Sequence, residues 1–336
     1  MAYETSLPPV SLTLFDGSPN TNVTTAASSG NDMSPEMRTY YSDRLIDLVE
    51  PELVHDRFAQ KRPIPQGGGK TIQFRQFNPL PELTTPLTEG VTPDGQCMDV
   101  RALTAAVKQY GGYVTLSDLL VMTAVDDNVL QATKLIAAQA GRTLDTITRE
   151  VLNAGTVVQY AGGEVASRAA LVGGAASGNH YLTADAIRRA VRYLETQDAP
   201  RIDGYYVGIL HPCCKYDLMR DPDWKSPHQY VDTKQIYRYE VGELYGVRFL
   251  ETSRAKVWRG AGANGADVYS TLILGDNAYG VTEITGGGLQ HIVKQLGSSG
   301  SGDPLDQRAS VGWKATRAAE ILVPQYLVRI ETTATP

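Results

Sequence analysis

The chain reads as an α+β protein that carries an extended arm. Three observations predict this class. Met122, Val125, Val129, Thr133, Ile136, Ala140, Leu144, Ile147 and Val151 recur at three- and four-residue steps, the pattern of one buried stripe on an amphipathic helix. Strand-like runs are scattered before and after that helix, so elements distant in sequence must meet in one body. Residues 61–115 hold too little apolar surface to bury themselves and are broken by Pro63, Pro65, Gly67, Gly68, Gly69, Pro79, Pro81, Pro86, Gly90, Pro93, Gly95, Gly111 and Gly112. A two-stranded ribbon alone is at best marginally stable in water, so this arm is expected to rest on another molecule.

The elements follow in order. Residues 1–32 are rich in Ser, Thr, Asn, Pro and Gly and read as an extended or flexible tail. Ser34, Pro35 and Glu36 form a helix-start signal, with Tyr40, Tyr41, Leu45, Leu48 and Val49 at helical spacing and Pro51 as an interruption. Within the arm, residues 71–77 and 102–114 read as strands. Ser117 caps the next turn, and Asn128 with Gln131 resembles a capping box. A helix over 128–153 spans about 40 Å at 1.5 Å per residue. Gly141 weakens it, and Gly155 ends it.

Residues 161–178 form a small-residue loop. A second helix spans 183–197 from a Thr183 cap, with Ile187, Val191 and Leu194 inward. A buried strand covers 205–210, and Pro212 opens a third helix at 213–219. Further strands fall at 247–251, 256–258, 268–274, 290–296, 309–319 and 326–332, with 298–302 as a flexible linker.

Composition narrows the function. The chain has 336 residues, 42% of them hydrophobic, enough for one large domain or two to three small ones. Charged residues make up 20%, below the usual share of about 25%; a low-charge surface suits coverage by neighbours. The net charge is −6 and no cluster of Lys and Arg stands out, which argues against a non-specific nucleic-acid binder. Cys97, Cys213 and Cys214 make no disulfide framework, as expected of a reducing cytoplasm. The first ten residues lack a signal-peptide pattern, and no run approaches the roughly 18 apolar residues of a membrane span. Tyrosine outnumbers phenylalanine 18 to 5; its polar tip suits half-buried interfaces as well as strands.

The candidate chemical motifs read better as structure. Gly67, Gly68, Gly69, Lys70 and Thr71 evoke a phosphate loop, but Ile64 stands where the first glycine belongs and a strand follows instead of a helix. Gly260, Gly262 and Gly265 match a dinucleotide spacing, but residues 268–274 again read as a strand. His211, Cys213, Cys214 and His228 lack the ligand gap of structural zinc. No Gly-x-Ser-x-Gly elbow occurs. Asp126 and Asp127 sit at a helix start, where acids favour the dipole. No catalytic residue, metal ligand or cofactor is assigned.

Three ordered segments carry a family resemblance. The first is Gly204, Tyr205, Tyr206, Val207, Gly208, Ile209, Leu210, His211 and Pro212, with Asp217, Leu218, Asp221, Pro222, Asp223 and Trp224. The second runs from Val241, Gly242, Glu243, Leu244, Tyr245 and Gly246 to Val247, Arg248, Phe249, Leu250 and Glu251. The third is Asp303, Pro304, Leu305, Asp306, Gln307 and Arg308, then Val311, Gly312, Trp313 and Lys314, then Ile321, Leu322 and residues 326–331. Together they resemble the major capsid proteins of tailed bacteriophages of the N-four-like family, over residues 33–332.

The resemblance implies the Hong Kong ninety-seven type capsid fold and a structural, non-enzymatic role. Residues 1–60 would be tail and N-terminal arm, 61–115 the extended E-loop over an adjacent subunit, and 116–182 a peripheral domain with a spine helix. Residues 183–281 would be the axial domain and 282–336 the return strands of the peripheral domain. Lys70, Phe74, Phe77, Tyr110 and Tyr113 are the candidate intersubunit contacts. The implied partners are copies of the chain in hexamers and pentamers, scaffolding, portal and decoration proteins, and packaged double-stranded DNA held non-specifically, with no membrane. The implied location is the virion capsid, assembled in the host bacterial cytoplasm. Some relatives cross-link a lysine to an asparagine; nothing in the sequence identifies a partner for Lys70, so the resemblance is not extended to a cross-link. The competing readings are a decoration or adhesion subunit and an enzyme centred on Lys70 or His211.

Overall fold

A computed structural model describes residues 21–22, 54–77, 80–92, 94–124, 128–163, 165–173, 180–224, 240–296 and 303–335. Most of the tail reading, the helix start at Ser34 with its stripe to Val49, the 298–302 linker, Asp126, Asp127 and His228 lie outside them.

The strands in chain order are β1 (Thr21–Asn22), β2 (Gln60–Lys61), β3 (Thr71–Phe77), β4 (Val100–Ala106), β5 (Lys108–Ser117), β6 (Val158–Tyr160), β7 (Tyr206–Leu210) and β8 (Glu240–Leu244). They continue as β9 (Val247–Glu251), β10 (Val257–Trp258), β11 (Val268–Leu274), β12 (Tyr279–Thr282), β13 (Gln290–Lys294), β14 (Arg308–Ile321) and β15 (Leu327–Thr332). The helices are α1 (Asp118–Thr123), α2 (Asn128–Leu152), α3 (Ala184–Thr196) and α4 (Pro212–Arg220).

The chain divides into two compact units. One holds residues 1–48, 111–140 and 290–314; the other holds 49–110, 141–289 and 315–336. The division falls within α2, β5 and β14, whose halves are described with the unit to which each belongs.

In the first unit, β1 runs parallel to β5, pairing Thr21 with Thr115. β13 lies antiparallel to β14, pairing Gln290 with Lys314 and Lys294 with Ser310. β5 and β14 are neighbours, and they pack closely. A Cβ on Gly111 would sit 2.7 Å from the Trp313 carbonyl oxygen, so only glycine fits there. The Trp313 indole N–H donates to Gln139 Oε1 at 3.2 Å. Ser117 caps α1 as expected, its Oγ accepting from the Leu120 N–H at 3.2 Å.

The second unit is centred on a seven-stranded sheet in the order β6-β15-β11-β7-β9-β8, with β10 on β11. β7, β11 and β15 are buried along nearly their whole lengths, because both faces of the sheet are covered. One face meets Ile187, Ala190, Val191 and Leu194 of α3 and Leu218 of α4. The other meets Leu152, Tyr279 and Val281. Gly208 lets the sheet close: a Cβ there would lie 2.5 Å from the Phe249 ring. β15 pairs with β11 from Leu327–Leu274 to Thr332–Tyr269, so the last strand completes the sheet of residues 206–274. Arg168 holds the buried Glu331 with two hydrogen bonds of 2.6 and 2.7 Å.

The helix α2 has 25 residues and starts at Asn128, where the Asn128 and Gln131 signal puts its start, although the apolar stripe begins at Met122. Its buried side differs from the expected stripe. Ile136 and Ala140 are buried, but further along it is Asp145, Thr148 and Leu152 that are buried, while Leu144, Ile147 and Val151 are only half-buried. Met122 is exposed. The reason is a polar seam. His55 N–H and Nδ1 contact the Asp145 carboxylate at 3.0 and 2.8 Å. Thr148 donates to Asp56 at 2.6 Å, Arg317 pairs with Asp56, and Tyr279 donates to the His55 carbonyl at 2.5 Å. An apolar-periodicity rule cannot see a helix face that is buried against partners of opposite polarity.

Candidate assembly interface

The arm folds locally as a hairpin. β3 and β4 pair antiparallel from Thr71–Ala106 to Phe77–Val100, and the Val107 N–H donates to the Lys70 carbonyl at 2.8 Å. Alternation puts Ile72 and Phe74 on one face with Ala105 and Leu103 opposite. Those side chains pack on Ala318 and Leu322 of the same chain, and a Cβ on Gly280 would reach the Phe74 ring at 3.1 Å. The ribbon is thus anchored at its base. The strand read as 102–114 is broken at Val107 into β4 and β5.

Beyond Phe77 and Val100 the described loop residues have no anchor of this kind. Phe77, Leu80, Leu83, Leu87, Val91 and Met98 are all exposed, Leu83 by 77%. Every described residue from 80 to 99 is exposed. So much unburied apolar surface on one segment marks an interaction site. The prolines and glycines that interrupt this stretch (Pro81, Pro86, Gly90, Gly95) keep it from forming regular structure that could hide those side chains.

The five sequence candidates separate. Phe74 is 7% exposed and is taken up inside its own chain, because the alternation that makes it strand-like also turns it toward Ala318. Lys70 is exposed at the ribbon base. Phe77 and Tyr113 are exposed by 61% and 66%, and Tyr110 is half-buried. Phe77 belongs to the loop surface; Tyr113 lies in the other unit, against the Gly312 backbone. Leu83, Leu87, Val91 and Met98 were not among the candidates. Their signal in the sequence is apolar residues between helix breakers with neither helical nor strand spacing.

The other motifs take structural roles. Gly67, Gly68 and Gly69 make the turn before β3, with positive φ at Gly67 and Gly69. Gly260 to Gly265 make the turn between β10 and β11. His211 caps α4, its Nδ1 accepting from the Cys213 N–H at 3.2 Å, and burial lowers its pKa. Cys214 is fully buried, which pushes its thiol up to about 12. Among the described residues no group of three or more His, Cys, Asp or Glu is placed to hold a metal, and no helix is long and apolar enough to cross a membrane.

The sequence profile of the phage capsid protein family matches residues 101–330. The chain belongs to this family. The capsid of Ralstonia phage GP4 is similar in structure, with a TM-score of 0.67 and 13% identity, covering 93% of this chain and 99% of that one. The capsid of cyanophage P-SCSP1u gives a TM-score of 0.65 and 11% identity, covering 96% and 99%. The cyanophage Pam1 capsid gives 0.63 and 15%, covering 90% and 97%. No curated protein sequence matches. The fold is of the Hong Kong ninety-seven type. This phage capsid protein is a structural major capsid protein that forms the head, and the capsid is assembled from repeated copies.

Proposed function

We propose that the copies associate as hexamers and pentamers and enclose double-stranded DNA, and that residues 61–115 are the E-loop that clasps an adjacent subunit. The observation that carries this is the contrast within the arm: a hairpin base anchored through Phe74, and a loop from 80 to 99 exposed throughout. On this reading α2 is the spine helix of a peripheral domain. The sheet of β7, β9 and β11 forms the body of an axial domain over residues 183–281, and residues 282–336 are the return strands of the peripheral domain, β15 among them pairing with β11. Phe77 and Tyr113 are intersubunit contacts, with Lys70 and Tyr110 at the ribbon base. Assembly takes place in the bacterial cytoplasm, with scaffolding, portal and decoration proteins as further partners and packaged DNA held without sequence preference. Many weak contacts per subunit are multiplied by closure of the shell.

The test follows from the register. Phe77 and Val100 are cross-strand partners, so an Asn-Gly turn can replace residues 78–99 and close the hairpin with two residues. The variant is expected to fold and to melt with the wild type, because Phe74, Leu103 and Ala105 keep their packing. It is expected to yield no closed shells by electron microscopy and sedimentation. Normal shells from this variant would remove the loop from assembly.

A further inference from the structure

Beside the loop-proximal half of the ribbon lies a cleft of about 200 Å³. Its apolar lining comes from Phe74, Leu103, Leu322 and Val323, and three arginines line it as well: Arg62, Arg75 and Arg101. No carboxylate lines it. Among the described residues none of the three guanidinium groups has an ion-pair partner. The chain carries a net charge of −6, so three unpaired arginines around one apolar-lined cleft are a local reversal of its overall sign. Such a site suits a carboxylate-bearing segment that also offers an apolar side chain: guanidinium groups pair with carboxylates through two parallel hydrogen bonds.

The same chain presents that chemistry elsewhere. The loop carries Glu82, Glu89 and Asp94, all exposed, interleaved with the exposed Leu83, Leu87 and Val91. The loop does not fill its own cleft, since its described side chains stay in solvent. The cleft lies near the ribbon end, where Gln76 pairs with Arg101 one step before Phe77 and Val100. From there each limb of the loop spans up to about 35 Å when extended, far enough to pass beyond its own ribbon. We propose that the arginine cleft of one subunit receives the acidic, apolar loop of a second copy, with Arg62, Arg75 and Arg101 pairing with Glu82, Glu89 and Asp94. This rests on the capsid reading and names where the loop docks. It gives each subunit one donor loop and one acceptor cleft, a head-to-tail contact that closes a ring when the rotation between copies closes.

The experiment is a charge swap in the full chain, with wild-type assembly as its gate. Wild type that forms no shells would count against the capsid reading itself. With wild-type shells present, Arg62→Glu/Arg75→Glu/Arg101→Glu and, separately, Glu82→Lys/Glu89→Lys/Asp94→Lys are each expected to lower the assembled fraction at least tenfold by sedimentation. Unassembled subunits should keep the wild-type melting curve, since all six side chains are exposed. Should the arginine-to-glutamate variant melt early, Arg62→Gln/Arg75→Gln/Arg101→Gln takes its place with the same expectation. Combining all six changes in one chain, which reverses the charge of both loop and cleft, is expected to restore shells. Assembly of either triple variant at the wild-type level would overturn the proposal. So would two failing triples that the swap does not rescue. Shells that form normally from the arginine variant but retain less DNA would also overturn it, and would assign the cleft to phosphate.

Discussion

The buried pair between His55 and Asp145 lends itself to a graded test of the second unit. Asp145 is 2% exposed and His55 is fully buried, and the carboxylate accepts from the His55 N–H and from its ring at 3.0 and 2.8 Å. Among the described residues His55 Nε2 has no hydrogen-bond partner, and the ring hydrogen bond goes to Asp145. Asp145→Asn keeps the shape and one acceptor oxygen, leaving one His55 donor unsatisfied at a cost of about 1–3 kcal/mol. Asp145→Leu removes both acceptors and strands a buried polar group, at about 3–5 kcal/mol. For a body of roughly this size each kcal/mol moves the melting temperature by about 2–4 °C, so the expected drops are about 2–12 °C for Asn and about 6–20 °C for Leu. The assay is calorimetric melting of unassembled subunits, because assembly would add stability by mass action. A Leu variant that melts with the wild type, or an Asn variant that melts below the Leu variant, would refute the view that this seam fixes the α2 side of the unit.

Three further outcomes are expected. Gly208→Ala forces a methyl to within 2.5 Å of Phe249 and should destabilise the unit by about 1–3 kcal/mol of overpacking, read by urea unfolding. Burial lowers the pKa of His211, so the unfolded chain takes up the proton first. Its contribution to stability is then whole above the ordinary value of about 6.5 and is lost as pH falls through that value toward the lower folded one. His211→Asn, which still caps α4, should flatten that part of the stability-against-pH curve. Burial raises the Cys214 thiol to about 12, so mass spectrometry after brief alkylation at neutral pH should find the exposed Cys97 modified and Cys214 untouched until denaturant is added.

Much of this architecture is local and therefore legible in the chain. Strand β3 at Thr71–Phe77 and β11 at Val268–Leu274 fall where alternation and β-branched content put them. The helices α2 and α3 begin at Asn128 and after the Thr183 cap, because periodicity and capping are properties of neighbouring residues. The exposure of the arm's outer loop could be read from its prolines, glycines and thin apolar content. β6, β8 and β12 went unread, since short strands take their conformation from the strands beside them and not from propensity.

Which side of a side chain is buried was settled only by tertiary structure. Phe74 and Phe77 lie in one strand and look alike as aromatic strand residues, yet Phe74 is buried against Ala318 and Gly280 while Phe77 is exposed. In α2 the apolar spacing pointed to Leu144 and Ile147, but His55 and Asp56, some ninety residues earlier, turned Asp145 and Thr148 inward. The arginine cleft gathers Arg62, Arg75 and Arg101 from three stretches of chain that composition spreads out as isolated charges. The sequence determined which segments form helices and strands and that one segment has no core of its own, because those depend on local propensity and on the amount of apolar surface. Polar pairing in the interior and charge convergence at the surface depend on contacts between distant residues, and only the folded chain brings those together.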